Sequence, residues 1–375
     1  MGNNDNGTPG ISDEEWARFA EQAAQGAGDA PREPSARARM VTERLREERR
    51  RGQEPPGWRT GPAWQEMQGR GRRRRRLKAF AAVVLVAGLT LIAVRPELVI
   101  DRITGRTQAR EDAAKAAPLP AESVRPTAAP PSLPPDRPTL QEPFRGSPAL
   151  QWADGAAGIE VPAAKPVAGM SEETVADAFQ KARQFLVAAN LDPATLRGER
   201  PASAIALLDP RQPDLLKDVE QYLKAPTAQD TPALLFTRFD PARVKPVGEV
   251  VKVRGSMRAE PGEPGELLVV ADYTFVHPVT PATGGSDVQR TIVRRQTTFA
   301  LLDPARWETT RGRLQLRAYH SEWSNVECEA ADGFLHPQFT ADVPAGPQPS
   351  GPAVDPYDRS RDIRDAKACG TVTRS

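Results

Sequence analysis

Sixteen consecutive uncharged residues, Ala79 to Val94 (AFAAVVLVAGLTLIAV), follow directly behind a block of arginines. No other feature constrains the chain as strongly. At 1.5 Å rise per residue the run covers about 24 Å as a helix, and about 27 Å with Leu77 and Lys78, against a hydrocarbon thickness of ~30 Å. Lys78 and Arg95 have stems long enough to carry their charges to the headgroups. Nine of the sixteen are Phe, Val, Leu or Ile, and no polar stripe recurs at helical spacing. The pattern predicts a transmembrane helix over 79–95; the alternative is a buried helix of a soluble domain.

The flanks set an orientation. Arg72, Arg73, Arg74, Arg75, Arg76 and Lys78 crowd the N-terminal side, whereas Arg95 and Arg102 alternate with Glu97 and Asp101 beyond it. The positive-inside bias then predicts a cytoplasmic 1–68, a basic juxtamembrane segment 69–78 against anionic lipid headgroups, and an outer remainder. Charge agrees: residues 1–78 hold 17 Lys/Arg against 12 Asp/Glu, net +5, and the rest is net −3. The expectation is a single-pass protein of the cell membrane. The arginine block as a nucleic-acid arm is the competing reading, and no nucleic-acid partner is expected.

Before the arginines, SDEEWARFAEQAA opens with a capping box at Ser12 and Glu15 and places Trp16, Phe19, Ala20 and Ala23 on one helical face. A second helix is predicted over ARARMVTERLREERRR, with Met40, Val41 and Leu45 among charges. Two such short helices bury little alone. Trp58 and Trp64 follow.

With 38 prolines and 28 glycines, the chain reads as one folded part carried on long flexible ones. Residues 96–169 form a Pro-rich spacer without apolar periodicity, and 339–375 a tail of the same character; both are predicted to be disordered. Between them, 170–338 reads as the folded domain. Ser171 caps a helix with Val175, Ala178, Phe179, Ala182, Leu186 and Ala189 on one face, and two shorter helices follow. After Pro246 the period drops to two, and VGEVVKVRGSMRA, ELLVVADYTFVHP, DVQRTIVRRQTTFALLD and RLQLRAYHSEWSNVEC become four strands separated by turn residues. His277 stands before Pro278, where its strand should stop. The fold class predicted is α+β, with N-terminal helices packed on a four-stranded antiparallel sheet.

This element order and the long ELLVVADYTFVHP strand resemble the nuclear-transport-factor-two-like, cystatin-like cone fold. They are also similar to the outer domains of bitopic subunits of bacterial type IV secretion and conjugation machines. WARFAEQAA and GWRTGPAWQEM resemble stretches of uncharacterised single-pass proteins of high-GC Gram-positive bacteria. The resemblance implies a fold and a topology, and no activity.

Cone folds often enclose a pocket, and a catalytic set would stand there. Asp272, Tyr273, His320 and Glu322 are the candidate lining. An Asp272–His320 pair is chemically sensible as a general base, since a carboxylate orients an imidazole and raises its basicity. The other histidines are His277 and His336. No metal-ligand spacing, phosphate-cradling loop or nucleophile elbow occurs, so no cofactor or metal is expected. Cys328 and Cys369 are the two cysteines. Their pairing is expected on the outer side, with two free thiols or an intermolecular bridge as alternatives.

Three functions follow. The first is a non-catalytic envelope protein whose outer domain binds a protein partner or cell-wall component. The second is a transmembrane sensor coupling an outer ligand to the cytoplasmic helices. The third is a pocket enzyme using Asp272 and His320.

Overall fold

A computed structural model describes residues 13–25, 35–51, 117–131, 136–327, 330–340, 342, 353–365 and 370–374. The chain divides into two units, Met1–Val99 and Ile100–Ser375. In the first, α1 spans Asp13–Gln25 and α2 spans Ala36–Arg50.

In the second unit, Ser171 starts α3 (Glu172–Asn190), its hydroxyl accepting the Thr174 N–H at 3.2 Å. Short helices α4 (Pro193–Leu196) and α5 (Ala202–Ile205) and the longer α6 (Pro213–Lys224) follow; proline stands first in α4 and α6, where no backbone donor is needed. The strands are β1 (Ala153–Asp154), β2 (Val244–Pro246), β3 (Lys252–Pro261), β4 (Glu266–Pro281), β5 (Gln289–Leu302) and β6 (Gln315–Ser324). They build one antiparallel sheet in the order β1-β3-β4-β5-β6, with β2 pairing β4.

Side chains alternate across the sheet. On one face Leu267, Val269, Ala271, Tyr273 and Phe275 of β4 meet α3. The helix presents Ala178, Ala182 and Ala189 between Phe179, Phe185 and Leu186, and the alanines let its axis approach the strands closely. On the other face Val276 and Ile292 are covered by Phe144, Ala149, Trp152 and Tyr357.

The fold differs from the sequence expectation in four respects. The sheet has six strands, not four. β1 and β2 are two and three residues long, too short for alternation to register, and form because the start of β3 and the end of β4 offer edges to pair with. The second difference is at Pro278, which does not end its strand: β4 runs on to Pro281, and the Pro278 carbonyl accepts the Val247 N–H at 2.9 Å, so proline serves as an acceptor.

The third is that the long disordered segments give way to ordered chain over 117–131, 136–169 and 353–365, which lies on the sheet. Extended proline-rich backbone lacks internal hydrogen bonds, so its carbonyls stay available, and arginines take them. Arg254 donates to Pro120, Arg290 to Pro143 and Arg145, and Arg374 to Pro130 and Pro131.

The fourth correction concerns the membrane. Among the described residues no helix is long and apolar enough to cross one. The longest, α3, carries Glu172, Glu173, Asp177, Lys181 and Arg183. The stretch 79–95, with Arg72, Arg73, Arg74, Arg75, Arg76, Lys78 and Arg95 around it, lies outside the described residues. The single-pass topology and the cell-membrane location are therefore set aside.

Candidate functional site on the outer sheet face

The side of the sheet away from α3 carries a buried ionic cluster. Asp272 of β4 and Arg294 of β5 share this face, since Thr274 is the register partner of Arg294 and Asp272 stands one pleat further along. The guanidinium grips the carboxylate with two bonds, Nε to Oδ1 at 3.1 Å and Nη2 to Oδ2 at 2.8 Å. This fork geometry makes arginine–carboxylate pairs strong. Arg359, from the C-terminal segment, donates Nη1 to Asp272 Oδ1 at 3.2 Å and Nη2 to the Asp272 carbonyl at 2.9 Å, and its Nε reaches Glu122 at 3.0 Å. Glu322 of β6, register partner of Arg294, accepts from Arg361 at 2.9 Å. Arg125 donates to the carbonyls of Arg359 and Arg361. Two segments remote in sequence, 121–125 and 357–361, are thus bonded to each other, and the second to the strands of the sheet.

Burial alone would push the Asp272 carboxyl up. The hydrogen bond from Arg294 and the positive charges of Arg359, Arg294 and Arg125 outweigh it and hold the group below the usual carboxylate value. Burial likewise pulls Arg294 down, and the bond to Asp272 with the charges of Asp272, Glu322 and Asp358 returns it above the ordinary guanidinium value.

The four predicted pocket residues do not face one site. Tyr273 points to the opposite face, as adjacent strand positions must, and donates to the Glu160 carbonyl at 3.2 Å; burial raises its pKa. His320 shares the face with Asp272, but the row reads Asp272, Gln296, His320 across three strands. That places them about 10 Å apart, two strand spacings, and no general-base pair forms. His320 is exposed. Asp272 is engaged by arginines and Glu322 by Arg361, so what the arrangement does chemically is hold chain segments together. A shallow concavity of about 350 Å³ lies elsewhere, lined by Ala156, Ile159, Glu160, Gln180 and Arg183 among others, and contains none of the four. Arg183 there donates to the carbonyls of Ile159 and Ala156. Among the described residues no three His, Cys, Asp or Glu side chains gather as metal ligands. Cys328 and Cys369 lie outside the described residues.

The α3 side holds a buried cation of its own. Arg295 donates to Asn190 Oδ1 at 2.6 Å, to the carbonyls of Ala233 and Leu234 at 2.8 and 2.7 Å, and to the hydroxyls of Ser321 and Thr237. All these acceptors are neutral, and burial brings its pKa down to about 9. Asn190 closes α3, so the negative end of the helix dipole partly balances the charge. His277, between Phe239 and Phe275, is pushed down to about 3 by burial and by Arg295.

Sequence reasoning missed Arg294, Arg295, Arg359 and Glu122. One signal was available: RTIVRRQTTFALL puts charges on both faces of a strand whose neighbours are apolar, and buried charges on a central strand require partners. No protein family, curated protein or solved structure matches the chain. The resemblances to cone folds, secretion subunits and Gram-positive single-pass proteins therefore gain no counterpart and are not carried further.

Proposed function

We propose that the Ile100–Ser375 unit is a non-catalytic binding domain whose ligand is a protein segment added along the edge of β6. The observation that supports this reading is a gap in the edge. β6 pairs with β5 on one side, and among the described residues no strand flanks the other. At its start the edge is closed: Leu314 exchanges bonds with Leu207 and Asp209, and the Gln212 side chain bonds both the N–H and the carbonyl of Leu316. Beyond its end, Val326 bridges Pro337. From Ala318 to Trp323 no described residue outside β5 hydrogen-bonds the backbone. Six residues match a typical strand, and main-chain pairing supplies affinity in such additions while alternate side chains supply selectivity. Tyr319, Ser321 and Trp323 alternate with Ala318, His320 and Glu322, so an added strand would meet an aromatic row on one face and a polar one on the other.

The test places a photo-crosslinking side chain at His320 in the full chain, with Arg258 on β3 as control. The expected result is a discrete protein adduct at His320 alone. The adducted partner segment, made as a peptide, should then slow amide exchange over Ala318–Trp323 by at least about tenfold. Adducts at both positions or at neither, or unchanged exchange, would overturn the reading.

A further inference from the structure

We infer that α1 and α2 dock onto a second copy of this chain, α1 of one against α2 of the other in antiparallel pairs. The inference goes beyond the binding domain and uses a different surface. Both helices leave their large apolar side chains in solvent: Trp16 is 59% exposed, Phe19 65%, Met40 68%, Val41 52% and Leu45 48%. On α1, Trp16 and Phe19 sit one turn apart with rings edge to face at 6.0 Å, so the stripe is already organised.

Charge selects the occupant. α1 carries Asp13, Glu14, Glu15 and Glu21 against Arg18, net −3. α2 carries six arginines against Glu43, Glu47 and Glu48, net +3. Two α1 helices or two α2 helices would repel each other, whereas α1 with α2 is complementary. The polarity of the charges sets direction. The acidic first turn of α1 and the basic last turn of α2 meet only in an antiparallel pair, and with Phe19 over Leu45 that register brings Glu15, one turn before Phe19, beside Arg49, one turn after Leu45.

Area selects a second copy over closure within one chain. The five side chains present on the order of 100 Å² each, so reciprocal pairing in a dimer covers roughly 1,000 Å², near the lower limit for a specific interface. Folding back within one copy would cover about half of that.

Sedimentation velocity on the full chain tests the inference, between about 1 and 50 μM. The expected result is a monomer–dimer equilibrium, with the dimer predominant at the upper concentration. Trp16→Ser with Phe19→Ser should raise its Kd at least about tenfold. Reversing the acidic turn of α1 (Asp13→Arg, Glu14→Arg, Glu15→Arg) should leave a monomer, as should reversing the basic end of α2 (Arg49→Glu, Arg50→Glu, Arg51→Glu). Mixing the two reversed chains should restore a dimer, because each then meets a complementary helix. A monomeric parent, a dimer indifferent to Trp16 and Phe19, or a mixture that stays monomeric would overturn the inference. Helical content by circular dichroism guards against a variant that has merely lost α1 or α2.

Discussion

Arg359 donates to Asp272 Oδ1 at 3.2 Å across 87 residues of chain, and the same guanidinium holds Glu122 at 3.0 Å on its other side. One side chain of the C-terminal segment thus binds both the central strand and the proline-rich segment that precedes the domain. Asp272 is gripped simultaneously by Arg294, so removing this carboxylate leaves two guanidinium groups buried without their shared counter-charge.

Asp272→Asn should therefore cost about 3 kcal/mol in urea unfolding, the range found when one partner of a buried ion pair is removed. The group's pKa is held below its unfolded value, so its contribution is present above the unfolded pKa of about 3.9 and fades as pH falls through the depressed folded value. A loss below about 1 kcal/mol would mean that the cluster is solvated.

Ending the chain before Ala353 removes Tyr357, whose ring meets Trp152 edge to face at 5.8 Å, and uncovers Val276 and Ile292. A loss of at least about 3 kcal/mol is expected, from one buried aromatic side chain and the Arg359 contacts. Binding of an apolar dye and faster exchange of the amides around Val276 and Ile292 check the location of the damage. Unchanged exchange there would show that the C-terminal segment does not cover this face in solution.

His277 couples stability to pH. Burial holds its pKa near about 3, below the unfolded value, so the unfolded chain binds the proton first and stability falls as pH drops through about 6.5 toward about 3. Between pH 7 and pH 5 this amounts to about 2 kcal/mol. His277→Phe keeps the packing against Phe239 and Phe275, and that part of the slope should disappear in denaturant titrations at the two pH values. An identical slope in the variant would mean that the imidazole is hydrated.

Arg295→Met should cost about 3 kcal/mol although it removes a buried charge. It leaves Asn190 Oδ1 and the carbonyls of Ala233 and Leu234 buried without their donor. Arg295→Lys keeps the charge but cannot reach acceptors spread around a planar fork, so it should fall between the two. Thermal unfolding ranks the three chains, and a Met variant as stable as the parent would show that the acceptors find other donors.

The apolar residues at every second position in ELLVVADYTFVHP, Leu267, Val269, Ala271, Tyr273 and Phe275, were enough to read β4, because one face of a strand that packs on a helix must be apolar throughout. The β-branched and aromatic residues of RTIVRRQTTFALL marked β5. Ser171 and the spacing from Val175 to Ala189 made α3 equally plain. The candidate site was legible only in fragments. Asp272 and Glu322 stand out in the sequence as chemistry-bearing residues on strands, but Asp272 and His320 are not neighbours, because the strand order places Gln296 between them. Nothing local marks Arg359 in YDRSRD as a core residue, since its burial depends on a carboxylate far away in the chain.

Local composition and periodicity thus determined which stretches become helix or long strand, since those choices rest on contacts a few residues apart. Tertiary structure alone decided what covers the second face of the sheet. Proline-rich chain has no pattern of its own to bury, and it is ordered here by arginines whose partners are brought within reach only once β4 and β5 have paired.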